Sequence, residues 1–125
     1  MAKAAEEIQR QFQKEMDAFK ANQVDSRKCL TARQQLEAQL TENKMVMEEM
    51  KLLDEDASLF KMIGPILVKQ DFIEAKQNVD KRIEYITREI SRQETSMKDL
   101  QEKQDKMKET LTKLQSQMQQ FAAAR

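Results

Sequence analysis

The side chains that could carry out chemistry in this sequence are few. It contains no His, so an imidazole general base and imidazole metal ligands are excluded. Its one cysteine, Cys29, has no His or positive cluster of its own to activate it, which favours a structural role over a nucleophilic one. A single glycine, Gly64, cannot form a phosphate-binding loop. We therefore expect a protein that is not an enzyme and that has no cofactor.

The acidic run LDEDAS, residues 53–58, is the cluster that could in principle hold a cation. Asp54, Glu55 and Asp56 would supply the carboxylates. Consecutive acids at a helix end are usually solvated, however, and the spacing is not that of an EF-hand loop. The sequence therefore predicts no metal site.

Charge and composition exclude further classes of protein. Lys plus Arg equals Asp plus Glu, at 22 each, so bulk charge gives no reason to expect nucleic acid or an anionic membrane as a partner. The N-terminal MAKAAEEIQRQFQKE has acidic residues and no apolar core, unlike a secretory signal. No run approaches the roughly 18 apolar residues of a membrane span. We expect a soluble, intracellular protein.

Two long helices dominate the predicted structure, over about 4–53 and 72–122. In the second, alternate steps of four and three define a heptad seam that is mostly apolar. This seam comprises Phe72, Lys76, Val79, Ile83, Ile86, Ile90, Gln93, Met97, Leu100, Gln104, Met107, Leu111, Leu114, Met118 and Phe121. Asp71 is placed to cap this helix, with Glu74 completing a capping box.

The first helix carries a weaker seam of the same kind. Its slots are Ile8, Phe12, Glu15, Phe19, Asn22, Ser26, Cys29, Arg33, Leu36, Leu40, Asn43, Met47 and Met50, and the middle, 22–33, is largely polar. Whether the helix kinks there is left open. Two helices of similar length predict an antiparallel coiled-coil hairpin with both termini at one end.

The stretch SLFKMIGPILVKQD, residues 58–71, interrupts the helical pattern. It contains the only Gly and the only Pro of the chain, Gly64 and Pro65, side by side. A two-residue turn there predicts a β-hairpin over about 59–70 with Ile63 facing Ile66. Both faces of this hairpin are apolar, and their residues are Leu59, Phe60, Met62, Ile63, Ile66, Leu67 and Val68.

A lone two-stranded hairpin is marginal in water and exposes two unpaired backbone edges. We therefore predict that these apolar residues, together with Gly64 and Pro65 of the turn, form a subunit-assembly module that pairs with hairpins of other subunits. The alternative is an elbow that folds back on its own helices.

The end of the predicted coil that carries both termini is lined by apolar residues, with Met and Phe prominent among them. These candidate tip residues are Ile8, Phe12, Met16, Phe19, Leu111, Leu114, Met118 and Phe121. They either only close the coil or also bind varied partners, for which flexible Met is suited. Both roles can hold together.

Helix, single hairpin, helix, with LEAQLTEN at 36–43 and GPILVKQD at 64–71, resembles the β-class subunits of prefoldin. The resemblance implies a hexamer of two α-class and four β-class subunits whose hairpins form an inter-subunit β-barrel. It implies an ATP-independent chaperone that binds unfolded clients such as actin and tubulin at the coil tips and passes them to the cytosolic group II chaperonin. The alternative is a structural scaffold or tether that dimerises through the β-hairpin.

Overall fold

The computed structural model describes residues 2–54 and 56–124. Its elements are α1 (Ala2–Lys51), β1 (Leu59–Ile63), β2 (Ile66–Gln70) and α2 (Phe72–Ala123). The predicted fold class, two long helices joined by one β-hairpin, is confirmed. Helix α1 ends at Lys51, two residues before the predicted end at about residue 53.

Helix α1 is continuous through the polar stretch 22–33. No Gly or Pro occurs between residues 2 and 51, so no residue in this range removes a helical hydrogen bond or favours another backbone conformation strongly. The polar seam residues therefore do not interrupt the helix.

Helix α2 begins at the predicted cap. The backbone N–H of Glu74 donates to Asp71 Oδ2 at 3.3 Å, and the N–H of Ala75 donates to the Asp71 carbonyl at 2.9 Å. A carboxylate at this position satisfies a donor that the first helical turn leaves free. The hairpin therefore passes directly into α2.

The two predicted seams coincide with the side chains that the structure removes from water. Every α1 slot from Ile8 to Met50 is partly or fully buried. In α2 one slot is wrong, because Lys76 is exposed and Ala75 is partly buried in its place. Near the start of α2 the seam thus steps by three and then four, which leaves the Lys76 ammonium in water, where it avoids a desolvation cost.

Two compact units can be distinguished. The terminal unit comprises Met1–Thr31 and Gln93–Arg125, and the hairpin unit comprises Ala32–Arg92. In each, a segment of α1 packs against a segment of α2. The core of the hairpin unit consists of the buried Met47, Met50 and Val79, with Leu59, Ala75 and Ile83 packed against them. Each fully buried side chain of this kind contributes about 1.5–3 kcal/mol relative to an exposed one.

The β-hairpin has the predicted register. Ile63 pairs with Ile66, Met62 with Leu67, and Lys61 with Val68 in an antiparallel ladder. Gly64 has a φ of 59°, and Pro65 follows it with a ring-fixed negative φ. Positive φ at the first turn residue is the geometry of a II′ turn, which suits the twist of a two-residue hairpin.

Replacing Gly64 by Ala should loosen the turn without a steric clash. An added Cβ would meet nothing within 4 Å, so the cost is conformational and amounts to about 1–2 kcal/mol. We expect the amides of β1 and β2 to exchange with solvent roughly tenfold faster in Gly64→Ala. Lys61→Ala, an exposed strand substitution at negative φ, is the control, and equal exchange in the two variants would contradict this account of the turn.

Candidate binding surfaces

The first candidate surface, here called the hairpin surface, is an exposed apolar group on β1 and β2. Between 42% and 73% of each large side chain is exposed there. Its members are Phe60, Met62, Ile63, Ile66, Leu67 and Val68. Exposed apolar side chains grouped in this way usually mark an interaction site.

Both faces and both edges of the hairpin contribute to this surface. The register places Ile63, Ile66 and Val68 on one face, and Phe60, Met62 and Leu67 on the other. Within the described residues the sheet has only the two strands β1 and β2, so each strand has one unpaired edge. Chemically, the arrangement offers backbone donors and acceptors for strand addition, with apolar side chains above and below.

Leu59 differs from the other predicted assembly residues. It is partly buried and packs against Met47, Met50 and Val79 of its own chain. It therefore connects the base of the hairpin to the helices, and its side chain is less available to a partner than that of Phe60 or Ile66.

Sequence reasoning missed the exposed apolar side chains that flank the hairpin in the chain, of which two are the most exposed. Leu52 is 86% exposed in the connection after α1, and Ile73 is 60% exposed in the first turn of α2. Both lie outside the seam slots. The signal that could have identified them was an apolar residue off the heptad register and next to the hairpin.

The second candidate surface, here called the tip surface, lies in the terminal unit and is more enclosed. Leu114 is buried, and the other predicted members are partly buried. These are Ile8, Phe12, Met16, Phe19, Leu111, Met118 and Phe121. Their burial shows that they help to close the coil.

A groove of about 360 Å³ nevertheless opens among the terminal residues of the two helices. Met118 and Phe121 of α2 line it, opposite Ala5 and Gln9 of α1. Its remaining lining residues are Ala2, Ala122 and Ala124. Alanines leave space beside two large, soft apolar side chains, so the groove could accept an apolar side chain of another polypeptide.

The remaining candidate groups are Cys29 and the acidic run 54–56. Cys29 is a free, partly buried thiol on the α1 seam. In the described part of the chain no cluster of His, Cys, Asp or Glu is placed to hold a metal ion. Of the acidic run 54–56, Asp54 and Asp56 are exposed, whereas Glu55 lies outside the described residues. Neither described helix has an apolar stretch sufficient to cross a bilayer.

Known proteins of similar sequence indicate the family of this chain. The profile of the family described as "Prefoldin subunit" matches residues 13–118. Prefoldin subunit 6 of Bos taurus is 46% identical over 121 residues, covering 97% of this chain and 94% of the relative. Prefoldin subunit 6 of Arabidopsis thaliana is 41% identical over 119 residues, covering 95% and 92%.

A solved structure shares the fold. The crystal structure of the prefoldin beta subunit from Thermococcus strain KS-1 superposes with a TM-score of 0.55, covers 88% of this chain and 90% of its own, and is 24% identical. The single hairpin between two helices, the matched profile and near full-length relatives lead to one conclusion. The chain belongs to the prefoldin subunit family.

Proposed function

We propose that this chain is a subunit of a hexameric, ATP-independent chaperone. The observation that carries the proposal is the hairpin surface, which is apolar on both faces and unpaired at both edges. A lone two-stranded sheet is marginally stable in water, and further strands or apolar groups that cover it would stabilise it. Hairpins of other prefoldin subunits, two of the α class and three more of the β class, would form that cover as an inter-subunit β-barrel.

The tip surface would bind clients. Its groove beside Met118 and Phe121 has room for an apolar side chain, and Met adapts to partners of different shape. Each contact would be weak, and several subunits acting on one unfolded chain would supply the affinity. The clients include unfolded actin and tubulin, which the complex passes to the cytosolic group II chaperonin.

Native mass spectrometry of the tagged protein, purified from cytosol, tests the stoichiometry. We expect a complex of six different chains with about six times the subunit mass. A homodimer, or a pair with one folded partner, would contradict the proposal and support a scaffold or tether that dimerises through the hairpin.

Aggregation of a denatured client, followed by light scattering without ATP, tests the chaperone activity of the same purified complex. We expect the complex to suppress scattering at stoichiometric concentrations. Assembly without any suppression would leave the subunit assignment intact and contradict the holdase role.

A further inference from the structure

Asn22 is the buried polar residue of the described chain. It occupies a seam slot of α1 in the terminal unit, and only 5% of it is exposed. Its Nδ2 donates to the backbone carbonyl of Leu100 on α2 at 3.1 Å. Its Oδ1 is buried and has no hydrogen-bond partner among the described residues.

Rotating the amide would not relieve this deficit. The opposite orientation would bring Oδ1 against the Leu100 carbonyl, two acceptors with no proton between them, and would bury the Nδ2 donors instead. At this position one hydrogen bond joins the two helices, and one buried acceptor, Asn22 Oδ1, is left without a partner in the described part of the chain. Such groups are rare in folded proteins and weaken the closed state.

The seam of α1 changes at Asn22 from large apolar side chains to smaller ones. Between Asn22 and the chain ends the α1 slots include Phe19, Phe12 and Ile8, all partly buried. On its other side within the terminal unit follow Ser26 and Cys29, which offer less apolar area. Asn22 thus marks the inner boundary of the apolar segment that carries the tip surface.

We infer that Asn22 sets how readily the tip segments, residues 2–21 and 101–124, separate from each other. We call this residue the joint. When the helices separate, water can form hydrogen bonds with both Oδ1 and Nδ2. The unfavourable free energy of the buried, unsatisfied acceptor is then relieved, which favours the open state. An apolar residue in the same slot would favour the closed coil instead. The inference rests on the proposed function, because separated tips would expose Phe12 and Phe121 to a client.

Hydrogen exchange on the full-length protein in its assembled complex tests the joint. In Asn22→Leu we expect tip amides, in 2–21 and 101–124, to exchange roughly tenfold more slowly, since local opening governs exchange there. Asn22→Asp, which cannot donate to the Leu100 carbonyl at neutral pH, should accelerate the same amides. Unchanged exchange in both variants would overturn the inference.

Asn43 supplies a matched control on the same helix. It also occupies an α1 seam slot, three heptads along, but it is only partly buried and its Nδ2 donates to Gln39 of α1 at 2.7 Å. Asn43→Leu should leave tip exchange as it is. If Asn43→Leu slowed the exchange of the tip amides as much as Asn22→Leu, general stabilisation of the helix would explain the effect. The inference about Asn22 would then be wrong.

A smaller replacement guards against overpacking by Leu. Asn22→Ala removes the unsatisfied acceptor without adding volume, and Asn43→Ala controls for helix propensity. Slower tip exchange in Asn22→Ala alone supports the joint even if Asn22→Leu distorts the coil. Faster tip exchange in both Asn22→Leu and Asn22→Ala overturns the inference.

The client assay separates the joint from the proposed function. Slower exchange together with weaker suppression of client aggregation supports a joint that regulates client binding. Slower exchange with wild-type suppression overturns that regulatory role. A wild-type complex that fails to suppress aggregation contradicts the proposed function, while the exchange result still decides whether the joint exists.

Discussion

Ile66→Asp combined with Val68→Asp should prevent assembly with other subunits while both helices remain folded. Ile66 and Val68 lie on one face of the hairpin, and both are exposed in the single chain, so two carboxylates there cost the subunit little. In the proposed barrel the same positions are covered. Loss of the apolar burial alone would weaken association by about 3–5 kcal/mol, roughly a thousandfold.

The measurement is size-exclusion chromatography and native mass spectrometry after mixing with the partner subunits, with circular dichroism to confirm helix content. Val24→Asp combined with Leu30→Asp is the matched control. These two side chains are each 43% exposed, close to the 42% of Val68, but they lie on α1. Hexamers that form normally from the hairpin variant would rule out the hairpin surface as the assembly site.

The hairpin was predictable because its determinants are local. Gly64 and Pro65 are adjacent and unique in the chain, and a two-residue turn at this position fixes the partner of every strand residue. Its exposure followed as well, since no other strand occurs among the described residues to cover it. The barrel that would cover it depends on other chains, so neither this sequence nor this structure contains it.

In the helices, heptad periodicity alone does not determine which residues are buried at every seam position. A heptad template assigned Lys76 to the seam, but the structure uses Ala75, because a template does not weigh the cost of enclosing an ammonium group. For residues 22–33 the same template predicts only a largely polar stretch of seam. That Asn22 is buried and bonded to the Leu100 carbonyl depends on the spacing between two helix backbones, which periodicity does not encode.

Phe12→Ser combined with Phe121→Ser should preserve the proposed hexamer and weaken the protection of clients that we propose for it. Both residues are partly buried in the terminal unit, and Phe121 lines the groove beside Met118. Each truncation removes an apolar contact worth about 1–2 kcal/mol when a client covers it. Because the five other subunits of the proposed hexamer retain their tips, we expect only about a tenfold rise in the complex concentration that halves client aggregation.

Loss of coil stability must be distinguished from loss of client contact, since the same two residues also close the coil. Ile83→Ser combined with Ile90→Ser removes two partly buried seam side chains from the hairpin unit and serves as the control. Both double variants should lower the melting temperature, but only the Phe variant should impair suppression of aggregation. Equal impairment would mean that coil stability governs protection, and the tip surface would then have no separate role in binding clients.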